Sequence, residues 1–298
     1  MTTNLDRIQK KIEKLLMKPI SLKKLTEEGS CKEFYQIMSL SPSQPMLLMR
    51  MFKKPDFRGG LEEWENIQKI LRNYLTVPKV LYKIQDESSL IIEDCGPKNF
   101  TNYLENKSNK EKKNYFIKAT HLLSSLQKIP NKRLNLELNS EELKRDFKLF
   151  KNEHITRRKQ KLKSTWDEKI FLKEAQLLCS FLTQGQQTFV HRDFHASNIM
   201  VNKNKLGLID SQDAIIGNPL YDLASLIDDV RIKLPSNLQE RLFNFYYFKS
   251  KLKKEQYKNL KNDFEILSVQ RNLKILGIFV RLFKRDGKPD YLKYLPYT

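Results

Sequence analysis

The chain has 298 residues, 40% of them hydrophobic, and 55 basic against 35 acidic residues give it a formal net charge of +20. A chain of this length can bury one or two sizeable cores, and it has neither an apolar run of about 18 residues nor an apolar N-terminal stretch, which argues against a membrane span and a secretory signal. The positive charges are scattered along the whole chain, which favours a solvated basic surface over a dedicated nucleic-acid or membrane partner.

Helical and strand patterns alternate in the first third of the chain. Apolar residues at helical spacing predict an opening helix over 8–17 and a second helix over 61–71. Short apolar runs predict strands at 34–38, 46–52, 77–81 and 90–92. Gly96 and Pro97 form a natural hinge, after which the pattern is mostly helical. We therefore expect an α+β protein with a β-rich N-terminal lobe, residues 1–96 with the leading helix, and a larger helical lobe, residues 97–298.

The most informative segment reads H-R-D-F-H-A-S-N from His191 to Asn198 and continues to G-L-I-D, which ends at Asp210. Apolar runs predict strands at 188–191, 199–201 and 206–209, and the polar residues 202–205 predict a hairpin turn between the last two. Such a hairpin sets Asn198 across from the end that carries Asp210.

This order of residues resembles the protein-kinase pattern H-R-D-x-x-x-x-N followed by an Asp on the next strand. Matching the residues to that pattern makes Asp193 the base that accepts the proton of an attacking hydroxyl. Asn198 and Asp210 become ligands of Mg²⁺, which accepts oxygen ligands and bridges the phosphates of ATP. The order strand, strand, helix, strand, strand is that of the nucleotide-binding lobe of a kinase, so the expected fold is bilobal and protein-kinase-like.

The phosphate side of the N-terminal lobe matches the kinase pattern less closely. Residues 27–32 contain one glycine next to Ser30, and their backbone N–H groups are candidates for covering phosphates. Arg50 stands in an apolar strand at the expected place of the kinase lysine, and contact with phosphate and exposure at a sheet edge remain equal alternatives. Glu63 and Glu65 are alternative partners for it.

Asp222 opens the predicted helix that follows Pro219. One interpretation is an ordinary acidic residue in the first helical turn, where it suits the helix dipole. The other is a direct role in the catalytic loop.

The segments H-R-D-F-H-A-S-N-I-M-V and G-L-I-D-S-Q-D-A-I-I-G-N-P-L-Y-D-L-A-S-L resemble the aminoglycoside phosphotransferase and choline kinase superfamily. The Q-D-A after Asp210 and the run from residue 270 to 289 are closer to the bacterial anomeric kinases of N-acetylmuramate and N-acetylglucosamine, which serve cell-wall recycling. Ser211 departs from that pattern, in which a Phe is commoner.

The resemblance implies a role for several residues. Asp193 is the base, Asn198 and Asp210 bind Mg²⁺, and His191, Arg192 and Asp222 support the catalytic loop. Nucleotide-binding candidates are Ser30, Arg50 and the adenine-binding hinge, residues 90–95, with Glu93, Asp94 and Cys95. Candidates on the acceptor side are Asp213, Arg271, Lys274 and Arg281.

Three hypotheses follow. The first is an ATP-dependent kinase of an amino sugar, because the basic residues of the C-terminal run suit a neutral or lactyl-bearing acceptor. The second keeps the chemistry with an aminoglycoside, choline or another small alcohol, for which an acidic or aromatic pocket is expected. The third is a basic nucleic-acid-binding protein with a relict kinase fold, against which the joint presence of the kinase core residues argues. Three cysteines without metal-ligand spacing fit a reducing compartment, so we expect a cytoplasmic protein.

Overall fold

The computed structural model describes residues 4–25, 32–39, 44–52, 60–84, 88–133, 140–155, 167–183, 187–250 and 257–298. Its contacts divide the chain into two compact units, the first formed by residues 1–98 with 200–212 and the second by residues 99–199 with 213–298. The sequence placed the boundary after residue 96 and assigned residues 200–212 to the C-terminal lobe.

The first unit is built on an antiparallel sheet with the strand order β1-β2-β3-β5-β4. Its elements are α1 (Asn4–Leu16), β1 (Ser21–Lys24), β2 (Lys32–Met38), β3 (Met46–Met51), α2 (Leu61–Leu71), β4 (Val80–Ile84) and β5 (Ser89–Glu93). Successive side chains of a strand point to opposite faces. One face packs on α1 through Ile8 and Ile12, and the other packs on α2 through Trp64.

Two strands differ from the sequence prediction. β1 was not predicted, because its sequence SLKK carries lysines and its burial is low, as suits a strand at a sheet edge. β4 was predicted over 77–81 and instead begins at Val80. Pro78 explains the shift, since proline has no N–H to donate to a strand ladder.

A second small sheet has the order β6-β8-β9, with β6 (Lys98–Asn99), β8 (Ile199–Asn202) and β9 (Lys205–Leu208). Lys203 and Asn204 join β8 to β9 with φ angles of 43° and 69°. Two consecutive left-handed residues form the turn that matches the twist of a two-residue hairpin. The predicted hairpin is confirmed.

The second unit is mainly helical. Its helices are α3 (Phe100–Leu104), α4 (Asn109–Leu126), α5 (Ser140–Phe150), α6 (Glu168–Leu182), α7 (Leu220–Ile227), α8 (Ser236–Lys249) and α9 (Tyr257–Asp286). α9 packs on both α5 and α7, and a Cβ added at Gly277 of α9 would lie 2.9 Å from the backbone carbonyl carbon of Leu149. The short strands β7 (Thr188–Val190) and β10 (Ile215–Gly217) pair antiparallel.

None of the helices in the described part of the chain combines the length and the apolar character that a membrane span requires.

Candidate active site

A buried lysine marks the functional side of the first unit. Lys32, the first residue of β2, is 1% exposed, and its Nζ donates to Oδ1 of Asp210 at 2.7 Å and to the side-chain oxygen of Gln212. Lysine is almost never fully buried unless it is paired. Asp210 follows β9 and is itself 33% exposed, so the pair joins a buried cation to a carboxylate that solvent still reaches.

Arg50 does not occupy the position of this lysine. It lies directly opposite Glu33 in the β2–β3 register, and its Nη1 is 3.4 Å from Oε2 of Glu33. Glu33 is adjacent to Lys32 on β2, so Arg50 lies on the sheet face opposite Lys32. Its Nη2 donates to Asn4 of α1, on the same face. Arg50 is therefore on the other sheet face from Asp210, whereas Lys32 is bound to it.

One of the two acidic residues considered as partners of Arg50, Glu65, is paired with another cation. Oε2 of Glu65 accepts from Nζ of Lys83 at 3.1 Å. α2 reaches the Asp210 loop through a neutral contact instead, in which Nε2 of Gln68 donates to Oγ of Ser211 at 2.6 Å. Ser211, the residue that departs from the family pattern, is thus buried and hydrogen-bonded.

The backbone holds Asp210 in an uncommon conformation. Its φ is 65°, in the left-handed region that few residues other than glycine adopt. The chain arrives there from β9, where the N–H of Leu208 donates to the carbonyl of Thr76 at 2.9 Å. The position of the Asp210 carboxylate is therefore fixed both by its backbone and by its ion pair with Lys32.

The predicted adenine hinge, residues 90–95, begins within β5 and continues past its last residue, Glu93, and it is held by several hydrogen bonds. The N–H of Glu93 donates to Lys79 at 2.8 Å, and Oδ1 of Asp94 accepts from the N–H of Gly96 at 2.9 Å. Gly96 has a φ of 138°, and a Cβ there would lie 2.7 Å from the carbonyl oxygen of Val201, so only glycine fits. Cys95 is buried, and burial, with Glu93 and Asp94 adding to it, raises its pKa to about 12. Ser30 lies outside the described residues.

In the second unit, Asp222 braces the loop that carries Asp193. Its Oδ2 accepts from the N–H of His191 at 2.7 Å and its Oδ1 from the N–H of Arg192 at 3.0 Å, and Asp222 is fully buried. Pro219 is the N-cap of α7, so Asp222 is not a cap of its own helix. Of the two interpretations left open, the role in the loop is the one that the hydrogen bonds fit.

The same loop fixes the amide of Asn198. Asn198 ends the 3-10 turn Ala196–Asn198, and its Nδ2 donates to the carbonyl oxygen of Asp193 at 3.0 Å. Since the nitrogen of the amide is used in this bond, its oxygen is left for a ligand. An amide oxygen of this kind suits a hard cation such as Mg²⁺.

The charges around Asp193 favour its ionised form. Burial would raise the pKa of Asp193, but the positive charges of Lys274 above all, and of Arg192, hold it well below the usual range. Asp193 is therefore a carboxylate at neutral pH, as a proton acceptor must be. Burial and then Arg231 lower the pKa of His195 to about 3, so that histidine is neutral.

Lys274 belongs to a buried polar network between three helices. Its Nζ donates to the hydroxyl of Tyr221 at 3.2 Å and lies 4.0 Å from Oδ2 of Asp146, which also accepts from Nε2 of Gln270 at 3.0 Å. Burial would lower the pKa of Lys274, but Asp146 and Tyr221 raise it. Lys274 is thus a cation held beside the catalytic loop.

The other residues expected on the acceptor side have surroundings different from those of Lys274. Arg271 is 3% exposed, and its Nη1 donates to the backbone carbonyl of Ala224 in α7 at 3.4 Å, which fits a packing role. Asp213 is partly buried. Burial would lower the pKa of Arg192, but Asp213 raises it together with Tyr221, Asp146 and Asp193. Arg281 is partly buried on α9.

Sequence reasoning did not single out Lys32, Gln212, Asp146 or Asp229 as members of these sites. Each acts through a partner that is distant in the chain, and Lys32 and Asp210 are 178 residues apart. For Lys32, Asp146 and Asp229 the sequence signal was an ionisable residue near apolar ones, which is also common on exposed helix and strand faces, and Gln212 was noted only as part of the Q-D-A sequence.

Comparison with known proteins identifies the family. Residues 36–255, more than half of the chain, match the phosphotransferase enzyme family, and the chain belongs to it. It is accordingly a phosphotransferase enzyme with a protein-kinase-like fold, as the sequence predicted.

Among its relatives is the N-acetylmuramate/N-acetylglucosamine kinase of Neisseria meningitidis, 28% identical over 277 residues, which are 91% of this chain and 82% of that protein. The choline kinase LicA from Streptococcus pneumoniae superposes with a TM-score of 0.67 at 14% identity, covering 99% of this chain and 97% of that one. The ADP-bound aminoglycoside phosphotransferase APH(2'')-Ib superposes with a TM-score of 0.65 at 16% identity, covering 98% and 95%. These two structures show the fold alone.

Proposed function

We propose that this phosphotransferase moves the γ-phosphoryl group of ATP to a hydroxyl of an amino sugar of the N-acetylmuramate or N-acetylglucosamine type, in cell-wall recycling. The observation that carries the proposal is the geometry of the catalytic loop. Asp222 holds the backbone of residues 191 and 192, and the amide of Asn198 holds the carbonyl of Asp193. A loop fixed at these points presents one ionised carboxylate, Asp193.

In this proposal Asp193 accepts the proton of the acceptor hydroxyl as its oxygen attacks the γ-phosphorus. The low pKa of Asp193 keeps the carboxylate ionised over the whole physiological range. Phosphoryl transfer needs little further covalent chemistry from the protein, so most of the catalysis comes from positioning and charge.

Lys32 takes the role of the phosphate-binding lysine. In the structure its ammonium binds Asp210, the residue that the family pattern assigns to the metal, and Gln212, two residues further on. An ammonium group is a compact donor of several hydrogen bonds and is widely used to bind phosphate. The backbone of Glu93, Asp94 and Cys95, fixed by the bonds described above, would receive the adenine.

Asn198 and Asp210 are the proposed ligands of Mg²⁺. They offer an amide oxygen and a carboxylate, and Mg²⁺ takes one or two such protein ligands together with phosphate oxygens and waters. When bound, Mg²⁺ would neutralise charge on the β- and γ-phosphates.

The amino-sugar acceptor is supported by the printed name of the Neisseria meningitidis relative, which aligns over 91% of this chain. It is also supported by charge, because Lys274 and Arg192 act electrostatically on Asp193 and disfavour a cationic acceptor at that place.

The test is an acceptor screen with purified protein and Mg-ATP, read by mass spectrometry of the products. We expect phosphorylated N-acetylglucosamine or N-acetylmuramate, with Asp193→Asn as the inactive control, and loss of the reducing end if the anomeric hydroxyl is the acceptor. Phosphorylation of choline or kanamycin at least as efficiently would replace the amino-sugar proposal. Absence of turnover on every acceptor would favour a non-catalytic binding protein.

A further inference from the structure

The second unit contains a buried carboxylate that the roles above do not use. Asp229 follows α7 and is 3% exposed. Its Oδ2 accepts from the N–H of Ala196 at 2.9 Å, and its Oδ1 accepts from the backbone N–H and from Nη1 of Arg231, both at 3.1 Å. Both oxygens are therefore engaged, one with the catalytic loop and one with a cation.

Ala196 is the residue at which the turn carrying Asn198 begins. The first N–H groups of any helical turn lack a partner within the turn and need one from elsewhere. His195, at the N-cap position, provides no side-chain hydrogen bond. Asp229 supplies the acceptor instead, from 33 residues further along the chain.

The turn is then fixed at both ends. Asp229 holds its first N–H, and the amide of Asn198 at its end is bound to the carbonyl of Asp193, while the N–H of Asn198 donates to the carbonyl of His195 at 3.0 Å. Asp222 holds the preceding residues 191 and 192. The loop thus rests on two acidic residues with different targets.

We propose that Asp229 is a positioning residue for the metal–nucleotide complex, because it fixes the turn that presents the side-chain oxygen of Asn198. This inference rests on the proposed function, which makes Asn198 a metal ligand. Arg231 is part of the arrangement, since a carboxylate this buried needs a cation to stay ionised. Consistent with this, burial would raise the pKa of Asp229, but Arg231 and the backbone N–H donors of Arg231 and Ala196 lower it.

The adjacent residue provides a matched control. Asp228 is the C-cap of α7, and its Oδ2 accepts from Nδ2 of Asn272 at 3.0 Å and from Oγ of Ser268, both on α9. Asp228→Asn and Asp229→Asn make the same chemical change one residue apart. Only Asp229→Asn alters an acceptor of the catalytic loop. The two carboxylate oxygens of Asp229 accept from Ala196 and from Arg231, whereas the single oxygen of an asparagine amide cannot accept from both.

The readouts are calorimetric binding of ADP with and without Mg²⁺, the Mg²⁺ dependence of turnover, and hydrogen exchange of the peptide around Ala196 in the free protein. In Asp229→Asn we expect the half-saturating Mg²⁺ concentration to rise about 10–100-fold, as for other residues that orient metal ligands. Binding of ADP without metal should be unchanged, and exchange at the turn should be faster. Asp228→Asn should resemble the wild type in all three.

Equal behaviour of Asp228→Asn and Asp229→Asn, or a change in kcat with no change in Mg²⁺ dependence or in exchange at the turn, would overturn the proposal. Arg231→Gln covers the case in which Asp229→Asn does not fold. Arg231→Gln keeps the Asp229 carboxylate that accepts from Ala196 but removes the cation beside it, so it should still raise the Mg²⁺ requirement. Wild-type Mg²⁺ dependence in Arg231→Gln would therefore also count against the proposal. A wild-type protein without Mg-ADP binding refutes the proposed function itself, whereas the exchange comparison still decides whether Asp229 fixes the turn.

Discussion

Nζ of Lys32 lies 2.7 Å from Oδ1 of Asp210, and this pair joins the first residue of β2 to the residue that the family pattern assigns to the metal. The ammonium is buried and the carboxylate is one-third exposed. In the proposed function, the ammonium of Lys32 would bind a nucleotide phosphate and the carboxylate of Asp210 would bind the metal. Their ion pair would separate when these ligands bind.

Lys32→Met should therefore weaken binding of Mg-ADP about tenfold or more, the cost of losing a hydrogen bond to a charged group. Arg50→Met is the control on the opposite face of the sheet and should change the affinity less than about twofold, because the Glu33 pair that it breaks is a weak, partly exposed one. Isothermal titration compares them, and a larger effect for Arg50→Met would return the phosphate contact to Arg50.

Asp193→Asn should lower kcat by about 10²–10⁴-fold and leave the affinity for ATP nearly unchanged. The amide keeps the shape of the side chain but cannot accept the proton of the acceptor. Steady-state kinetics and nucleotide binding measure the two effects separately. A variant that retains more than about a tenth of kcat would not fit a general base.

Asp210→Ala should lose Mg²⁺-dependent nucleotide binding and activity together, and Asn198→Ala should do so less severely because a neutral amide contributes less charge. The comparison is titration with ADP at saturating Mg²⁺ and without metal. If Asp210→Ala binds Mg-ADP like the wild type, the metal is held elsewhere, with Asp213 the next carboxylate to examine.

Activity should fall as the pH drops through about 7, because burial raises the pKa of Asp222 to about that value in spite of its two backbone N–H donors. Protonation turns one acceptor oxygen into a donor and releases part of the catalytic loop. Asp222→Asn should lower kcat about 10–100-fold and abolish this acidic limb. A limb that persists unchanged in Asp222→Asn would belong to another group.

The free energy of unfolding should depend on the protonation of Asp222 in the opposite sense to activity. The pKa of Asp222 is raised in the folded state from an ordinary value of 3.8, so the folded protein holds a proton that the unfolded chain releases earlier. Its contribution to the free energy of unfolding is present below that ordinary value and is lost as the pH rises through about 7. Denaturant unfolding of the wild type and Asp222→Asn across this range tests the sign.

Lys274→Met should destabilise the protein by about 3 kcal/mol, because it leaves the carboxylate of Asp146 buried without its cation. The double variant Lys274→Met with Asp146→Leu should be more stable than Lys274→Met alone, since two apolar groups then replace a pair. Denaturant unfolding gives the three free energies. Additive losses would show that Lys274 and Asp146 do not stabilise one another.

The parts of the fold that local patterns determine were predicted from the sequence. The amphipathic α2 has apolar residues at helical spacing, and the β8–β9 hairpin has a turn sequence between two apolar runs. Each pattern is typical of one kind of local structure. The order of catalytic residues in the segment 191–210 likewise identified the class of enzyme, because its spacing is read directly along the chain.

The parts that depend on distant partners were not predicted. Lys32 was read as the end of a loop, since nothing in its neighbourhood showed that a carboxylate 178 residues later would bind it. Arg50 was chosen because it stood out in an apolar strand, but its register with Glu33 turns it to the other face. Asp229 stood in a predicted helical segment as one acidic residue among several, but it follows α7 in the structure and its hydrogen bond to Ala196 spans 33 residues.

The first unit takes residues 200–212 from far along the chain, and this has a consequence for protein synthesis. While the ribosome makes the chain, residues 1–98 emerge long before Asp210 and Gln212, the residues that bind Lys32. The N-terminal sheet must then wait for a late segment before its buried ammonium meets these partners, and contacts of such long sequence separation form slowly. A nascent chain released before residue 212 would expose this incomplete unit to chaperones and proteases, so the unit is complete only when most of the protein has been translated.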